Sequence, residues 1–250
     1  MRQTVSQQQS QIETAADWFA KSILAERVVH LFGAGHSRMM VEEMWPRYGS
    51  FPGFNPIVEL SLTFHNLVTG ANGQRQAMFL ENRAGLADRI LRNFDLSTRD
   101  SALIISSSGC NVVPIEMGKI FQQHGIRVVA IVSQRHSDAS SSNASDGKKL
   151  TDYADLVLDT GAPIGDATVR VPNLDTPVSP GSTIGGAMIV NCLKAEIAAR
   201  LTNAGHPPKV LTAGSVVGQE RATELFESAY DEHAWRMSRL FEKVGTRKNG

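Results

Sequence analysis

The sequence predicts an α/β protein built on a single doubly wound, mostly parallel five-stranded sheet, with a helix at each end of the chain. Three observations carry this. Short apolar runs rich in Val and Ile recur along the chain. They alternate with stretches whose apolar residues repeat at helical spacing. The runs also end in loops of glycine, serine and asparagine that lead into helices, the connection a parallel sheet requires.

The elements follow in order. Residues 4–25 place Val5, Ile12, Ala15, Ala16, Phe19, Ile23 and Leu24 near helical spacing, so the chain opens on an amphipathic helix. No helix-turn-helix pattern precedes the core, which counts against a transcription regulator. Residues 28–32 form the first strand and run into Gly33-Ala34-Gly35-His36-Ser37, then a helix over 38–48. A turn-rich stretch, 49–56, leads to a short strand at 57–60. Residues 61–82 show no regular pattern, and 83–93 read as helix. The apolar run 102–105 is a buried strand that stops abruptly at Ser106-Ser107-Ser108-Gly109-Cys110-Asn111. A helix over 112–124 follows, with Gly125 suited to close it. Another strand occupies 127–132, then a low-complexity polar loop, 133–147, and a strand at 156–158 ending at Asp159. A Gly- and Pro-dense loop, 160–181, precedes a helix over 182–201 that carries Gly185-Gly186 in its first turns. Gly205-His206-Pro207-Pro208 breaks the pattern before a final amphipathic helix at 219–243.

The bulk numbers exclude several classes. The 250 residues hold 25 Lys plus Arg and 25 Asp plus Glu, so the formal net charge is zero. A nucleic-acid binder that works by neutralising phosphates is disfavoured. Cys110 and Cys192 offer no disulfide framework and suit a reducing compartment. No apolar run reaches membrane-spanning length, and the Gln-rich start has no signal-peptide core. The expectation is a soluble cytoplasmic protein with no membrane and no nucleic-acid partner.

In an open parallel sheet, ligands bind beyond the carboxyl ends of the strands. Ser37, Ser106 to Asn111, Ser133 and Asp159 all fall there. A strand that enters a helix through hydroxyls and glycine presents donors at a helix N-terminus, which favours an anion. The alternative is an ordinary capped helix, for which Asn111 alone would suffice and which leaves the serine run unexplained. Gly33-Ala34-Gly35 could begin a dinucleotide fingerprint, but Arg38 stands where the third glycine belongs. Cys110 invites a nucleophile reading, yet no base is tied to it in sequence. The seven histidines have no metal-ligand spacing, so no metal and no cofactor is expected. Loop 133–147 could close over a ligand with Arg135 and His136, or be plain surface. Glu59, after a strand, is a second carboxylate candidate, and His65, six residues on, is the histidine chosen as acid/base partner.

Together these residues resemble the sugar isomerase (SIS) domain family, which binds phosphosugars. The resemblance rests on Gly33 to Ser37, the Ser106 to Asn111 loop, Ser133 and Ser182-Thr183. Within that family the chain is similar to a bacterial branch close to phosphoheptose isomerases, through Glu42-Glu43, Leu86-Ala87-Asp88, the run 112–117, Gly147 to Leu150 and Gly165-Asp166-Ala167. The resemblance implies a three-layer SIS-type fold over 1–250 as a single domain, with its core at about 10–202. It implies a phosphosugar held by Gly35, His36, Ser37, Ser106, Ser107, Ser108, Gly109, Asn111, Ser133, Ser182 and Thr183, and a homodimer. The implied activity is aldose–ketose isomerisation of a sugar phosphate by acid/base proton transfer, with Glu43 as base. His65 would act as acid, with Glu59 a second carboxylate. One departure matters: where heptose isomerases carry a late-helix catalytic histidine, this chain has Gly185 and Gly186. A phosphosugar sensor without turnover, and a sugar-phosphate lyase or etherase, are the other functions the pattern allows.

Overall fold

A computed structural model of the chain describes residues 2–63 and 72–242. Strands β1 (Val29–Gly33), β2 (Phe54–Ile57), β3 (Ser101–Ile105), β4 (Arg127–Val132) and β5 (Leu156–Asp159) form one sheet in the order β2-β1-β3-β4-β5. Every pairing in it is parallel. The helices are α1 (Arg2–Ser6), α2 (Gln9–Leu24), α3 (Arg38–Met44), α4 (Gln74–Glu81), α5 (Leu86–Leu91), α6 (Val112–Gln123), α7 (Gln134–Ala139), α8 (Ser182–Asn203), α9 (Gly214–Val217) and α10 (Gln219–Leu240).

Side chains alternate across a strand, so each strand feeds two cores. Leu31, Leu103, Ile105, Val129 and Ile131 pack with α2, α3 and α8 on one face. Phe32, Ala102, Ile104, Val128 and Ala130 pack with α5 and α6 on the other. Burial on both faces explains why these strands read as unbroken apolar runs. The chain leaves β1 toward β2 and returns on the other side to β3, so the strand order reverses between β1 and β3. The register pairs Gly33 with Ile105. That brings Ala34 to Ser37 beside Ser106 to Asn111 at the crevice where ligands enter such sheets.

Several expectations shift. The second strand lies at Phe54–Ile57 instead of 57–60, because Phe54 is fully buried opposite Val29. Pro56 is tolerated there because β2 is an edge. The predicted helix over 38–48 stops at Met44, and Trp45 ahead of Pro46 is extended. The stretch left irregular at 61–82 contains α4, and the predicted helix over 83–93 shortens to α5, entered through Gly85 at φ 82°. The polar loop 133–147 begins with α7. The opening helix divides into α1 and α2, and loop 160–181 carries an antiparallel ribbon of β6 (Ala167–Val169) and β7 (Val178–Pro180). The final helix ends at Leu240. Gln8, between α1 and α2, accepts from the Asp159 amide at 2.6 Å and donates to its carbonyl at 2.8 Å, which fastens the start of the chain to the edge strand β5. Among the described residues, no helix is long and apolar enough to cross a membrane.

The amino end of the sheet holds a closed polar set. Arg27 donates to both oxygens of Asp100, at 2.8 and 2.9 Å. His30 lies 3.3 Å from Asp100 through Nε2, and its Nδ1 is 3.0 Å from the Asn55 amide nitrogen. The amide must donate to that ring nitrogen, so the His30 proton sits on Nε2 and is given to Asp100. Phe121 stacks on the imidazole at 5.2 Å. Burial works against the Asp100 charge, but the bonds from His30 and Arg27 outweigh it and hold the carboxyl at about 2.

Candidate functional site

A cavity of about 210 Å³ opens at the carboxyl ends of β1 and β3. The β1 loop supplies Ala34, His36 and Ser37, and the β3 loop supplies Ser106, Ser107, Ser108 and Asn111. His136 enters from α7, Ser182 and Thr183 from the start of α8, and Gln74, Met78 and Glu81 from α4. Asp166 completes the wall.

The serine loop is built to donate. Ser106 Oγ accepts the Gly109 amide and Ser108 Oγ accepts the Cys110 amide, each at 3.2 Å. A hydroxyl that accepts from backbone keeps its own hydrogen to give elsewhere. Gly109 allows the turn because it adopts φ 65°. Asn111 stands at the N-cap of α6 but makes no side-chain cap bond. Its Oδ1 instead accepts from Asn143 Nδ2 at 3.0 Å, while the same amide nitrogen gives to Asn82 Oδ1 at 2.9 Å. With its oxygen so occupied, Asn111 presents its NH₂ to the Glu81 carboxylate. Plain helix capping therefore does not account for this loop.

Glu81 is 9% exposed. Burial pushes its carboxyl above the usual carboxylate range, and the bond from Asn111 offsets this only in part. His136 Nδ1 accepts the Gly165 amide at 3.2 Å, which leaves the neutral ring's proton on Nε2. Asp166 takes the N-terminus of α8. It accepts the Gly181 amide at 3.1 Å, the Ser182 amide at 2.7 Å and Ser182 Oγ at 2.6 Å. A second anion at that helix end would meet a carboxylate already bonded to its amides, whereas at the start of α6 Glu81 reaches the Asn111 side chain and no carboxylate among the described residues is bonded to the first-turn amides. No Lys or Arg among the described residues lines the cavity.

The predicted residues divide accordingly. His36, Ser37, Ser106, Ser107, Ser108, Asn111, Ser182 and Thr183 meet in the cavity. Gly35 and Gly109 shape its two loops through positive φ, 55° and 65°, and do not line it. Ser133 is outside the lining: it is fully buried, with Oγ 2.8 Å from Thr160 Oγ1 and 3.3 Å from Ser107 Oγ, and it ties the loops together. Asp159 likewise serves the backbone, accepting the Gln134 and Gly161 amides at 2.9 Å each.

Glu43 stands apart from the cavity lining, on the seam between α3 and α8. It is paired with Arg47, accepts from Asn191 Nδ2 at 3.0 Å, and lies 3.6 Å from Lys194 Nζ. Burial disfavours its charge, but Asn191, Arg47 and Lys194 together hold it below the usual carboxylate range. Glu59, half-buried ahead of the turn Leu60–Leu62, is also outside the lining. His65 lies outside the described residues. His136 reaches the cavity, while its neighbour Arg135 is exposed. Cys110 is buried, its thiol is pushed up by burial, and Sγ lies 3.3 Å from the Ser108 carbonyl oxygen, which gives no nucleophile.

The glycines on α8 have a steric cause. A Cβ on Gly185 would sit 2.2 Å from the Thr160 carbonyl oxygen, and one on Gly186 would sit 3.0 Å from Met40 Cγ. The helix lies so close to the β5 loop that no side chain fits at position 185, and one at 186 would have to displace the Met40 side chain. Sequence reasoning missed Glu81 and Asp166. A larger concavity, about 570 Å³, lies away from these loops, between the ends of α2 and α8 and the side of α10. Its Arg236 is taken up by the Ile23 and Arg27 carbonyls, at 3.2 and 2.8 Å, and by Glu232. Among the described residues no cluster of His, Cys, Asp or Glu could hold a metal ion.

Residues 1–133 match the SIS domain family. A UPF0309 protein of Listeria innocua is 31% identical over 221 residues, covering 88% of this chain and 87% of that protein. A UPF0309 protein of Thermoanaerobacter pseudethanolicus is 33% identical over 213 residues, covering 84% of each. A solved phosphoheptose isomerase from Francisella tularensis aligns with TM-score 0.47 at 14% identity, over 75% of this chain and 85% of that one.

Proposed function

The chain belongs to the SIS domain family, and from that premise we propose that it binds a sugar phosphate at the β1–β3 crevice and interconverts its aldose and ketose forms. The observation that carries the reading is the pair of hydroxyls, Ser106 and Ser108, whose oxygens accept backbone amides and whose hydrogens stay available at the start of α6. Phosphate sits at that end. Asp166 already fills the start of α8, so Ser182 and Thr183 meet sugar hydroxyls instead of phosphate. The cavity volume, about 210 Å³, suits one small sugar phosphate and is below the usual range for larger ligands.

Aldose–ketose conversion moves a proton between neighbouring carbons through an enediol, and needs a base above those carbons and a group that exchanges protons with the oxygens. A thermal-shift panel of sugar phosphates against the intact protein tests binding. Exchange of the sugar C2 hydrogen with solvent deuterium then tests turnover. Stabilisation by a sugar phosphate but not by the parent sugar is expected, with deuterium entering at C2. No stabilisation by any sugar phosphate would overturn the reading. One observation favours a second reading, a sensor without turnover: Glu43 is locked in ion pairs away from the cavity. That reading predicts the thermal shift without the exchange.

A further inference from the structure

Resting on the isomerase reading above, we propose that Glu81 is the catalytic base of this site, working with His136 as the group that exchanges protons with the sugar oxygens. Among the described carboxylates in the cavity wall, Glu81 is the one not fixed to a helix terminus or an ion pair; Asn111 is its hydrogen-bond partner. Asp166 is fixed by two amides and a hydroxyl at the start of α8. Glu43 is held by Arg47, Asn191 and Lys194, and Glu59 is outside the lining.

Glu81 ends α4 on that helix's buried side, four residues after the buried Ala77. Met40 and Met78 supply apolar wall beside it. Such surroundings favour the uncharged carboxyl, and burial does push this group upward, which makes its carboxylate a stronger base. The relay Asn143 to Asn111 to Glu81 fixes how the carboxylate is held. Asn143 occupies the Asn111 oxygen, so only the Asn111 NH₂ can face Glu81. A carboxylate has two oxygens, and one donor leaves the other able to face the substrate. His136, with its ring proton on Nε2, is set by the Gly165 amide on its far side.

The chemistry balances without any further reagent. Glu81 takes the proton from C2 of the aldose, and the C2–H electron pair forms the C1=C2 bond. The C1 carbonyl oxygen takes the proton of His136 Nε2, which gives the enediol. The C2 hydroxyl then returns a proton to His136. The electrons re-form a carbonyl at C2, and C1 takes its proton from Glu81. Both side chains end as they began, and the sugar is isomerised.

The test uses the full-length protein and the member of a panel of glucose 6-phosphate, fructose 6-phosphate and ribose 5-phosphate that stabilises it most. Glu81→Gln, close to the native shape, should keep the ligand-induced thermal shift and lose C2 deuterium exchange by roughly 10²–10⁴-fold, the range for removing a positioned base. Glu81→Asp retains a carboxylate and should fall between the two. If Glu81→Gln binds and exchanges deuterium at the wild-type rate, Glu81 is not the base, while the isomerase reading stands. If wild type binds without exchange, both the base and the isomerase assignment fall and only binding survives. If wild type neither binds nor exchanges, the site reading itself is overturned.

Discussion

At the amino ends of β1 and β3, Arg27, His30, Asn55 and Asp100 satisfy one another inside the protein, and Ser22 and Ser101 pair their hydroxyls at 2.8 Å. At the carboxyl ends of the same strands, Ser106 and Ser108 accept backbone amides but keep their hydrogens, and Glu81 is buried with the Asn111 amide as its hydrogen-bond partner. Both regions are polar and sheltered. One contains its charge and its countercharge; the other is left with donors and a carboxyl whose neighbours do not neutralise it. Buried polar groups that are mutually satisfied lend rigidity, while partly satisfied ones are where a ligand gains most. The amino end thus holds the sheet together, and the carboxyl end is where function is expected.

The same chemical change at the two ends should break the comparison if it is wrong. Asp100→Asn takes from the buried Arg27 guanidinium the carboxylate that accepts two of its bonds, leaving Asp95 at 3.9 Å, and should cost about 3–5 kcal/mol in urea unfolding. Glu81→Gln, which removes a carboxyl that burial disfavours, should leave stability unchanged or slightly raised. Equal losses at both ends would erase the distinction. Next in size is Gly185→Ala, which forces a Cβ against the Thr160 carbonyl oxygen. It should cost about 1–3 kcal/mol by overpacking and weaken sugar-phosphate stabilisation as the start of α8 shifts. Retained stability with full ligand response would show that the helix is free to adjust.

Acid unfolding gives a third comparison. The Asp100 carboxyl is held at about 2, against an ordinary value of 3.8. Its contribution is therefore complete above pH ~4 and is lost as pH falls toward 2. The loss should be about 2 kcal/mol, and the Asp100→Asn variant should lack that part of the acid limb. The smallest expected loss of stability belongs to Ser106→Ala. Removing the acceptor of one amide costs about 1 kcal/mol, while binding of a charged phosphate should weaken by about 1.5–3 kcal/mol. Calorimetric titration beside thermal unfolding separates the two. A variant that binds as wild type would move the phosphate away from this loop.

Much of this was legible in the sequence, for identifiable reasons. The strands Ser101–Ile105 and Arg127–Val132 are buried on both faces and so read as continuous apolar runs. The edge strand β2 was displaced because it carries Asn55 and Pro56, residues that signal turns. Helix α4 was hidden because Gly73 precedes it without a side-chain cap and its buried residues are Ala77 and Glu81 alone. Hydroxyls at strand ends announced the site, but pattern cannot say which of them turns inward. Ser133 bonds to Thr160, while Ser106 and Ser108 open to the cavity. Glu43 carried a visible warning, since Arg47 lies four residues on, the spacing of a helix ion pair. Glu81 showed only its spacing from Ala77, a weak signal in a stretch without periodicity.

The contrast between the ends is most directly tested by amide hydrogen exchange of the intact protein with and without the sugar phosphate that stabilises it. The account predicts added protection in the segments around 106–113 and 181–184, with no change around 27–30 and 97–101. Protection at the concavity formed by α2, α8 and α10, with none in the serine loop, would contradict it.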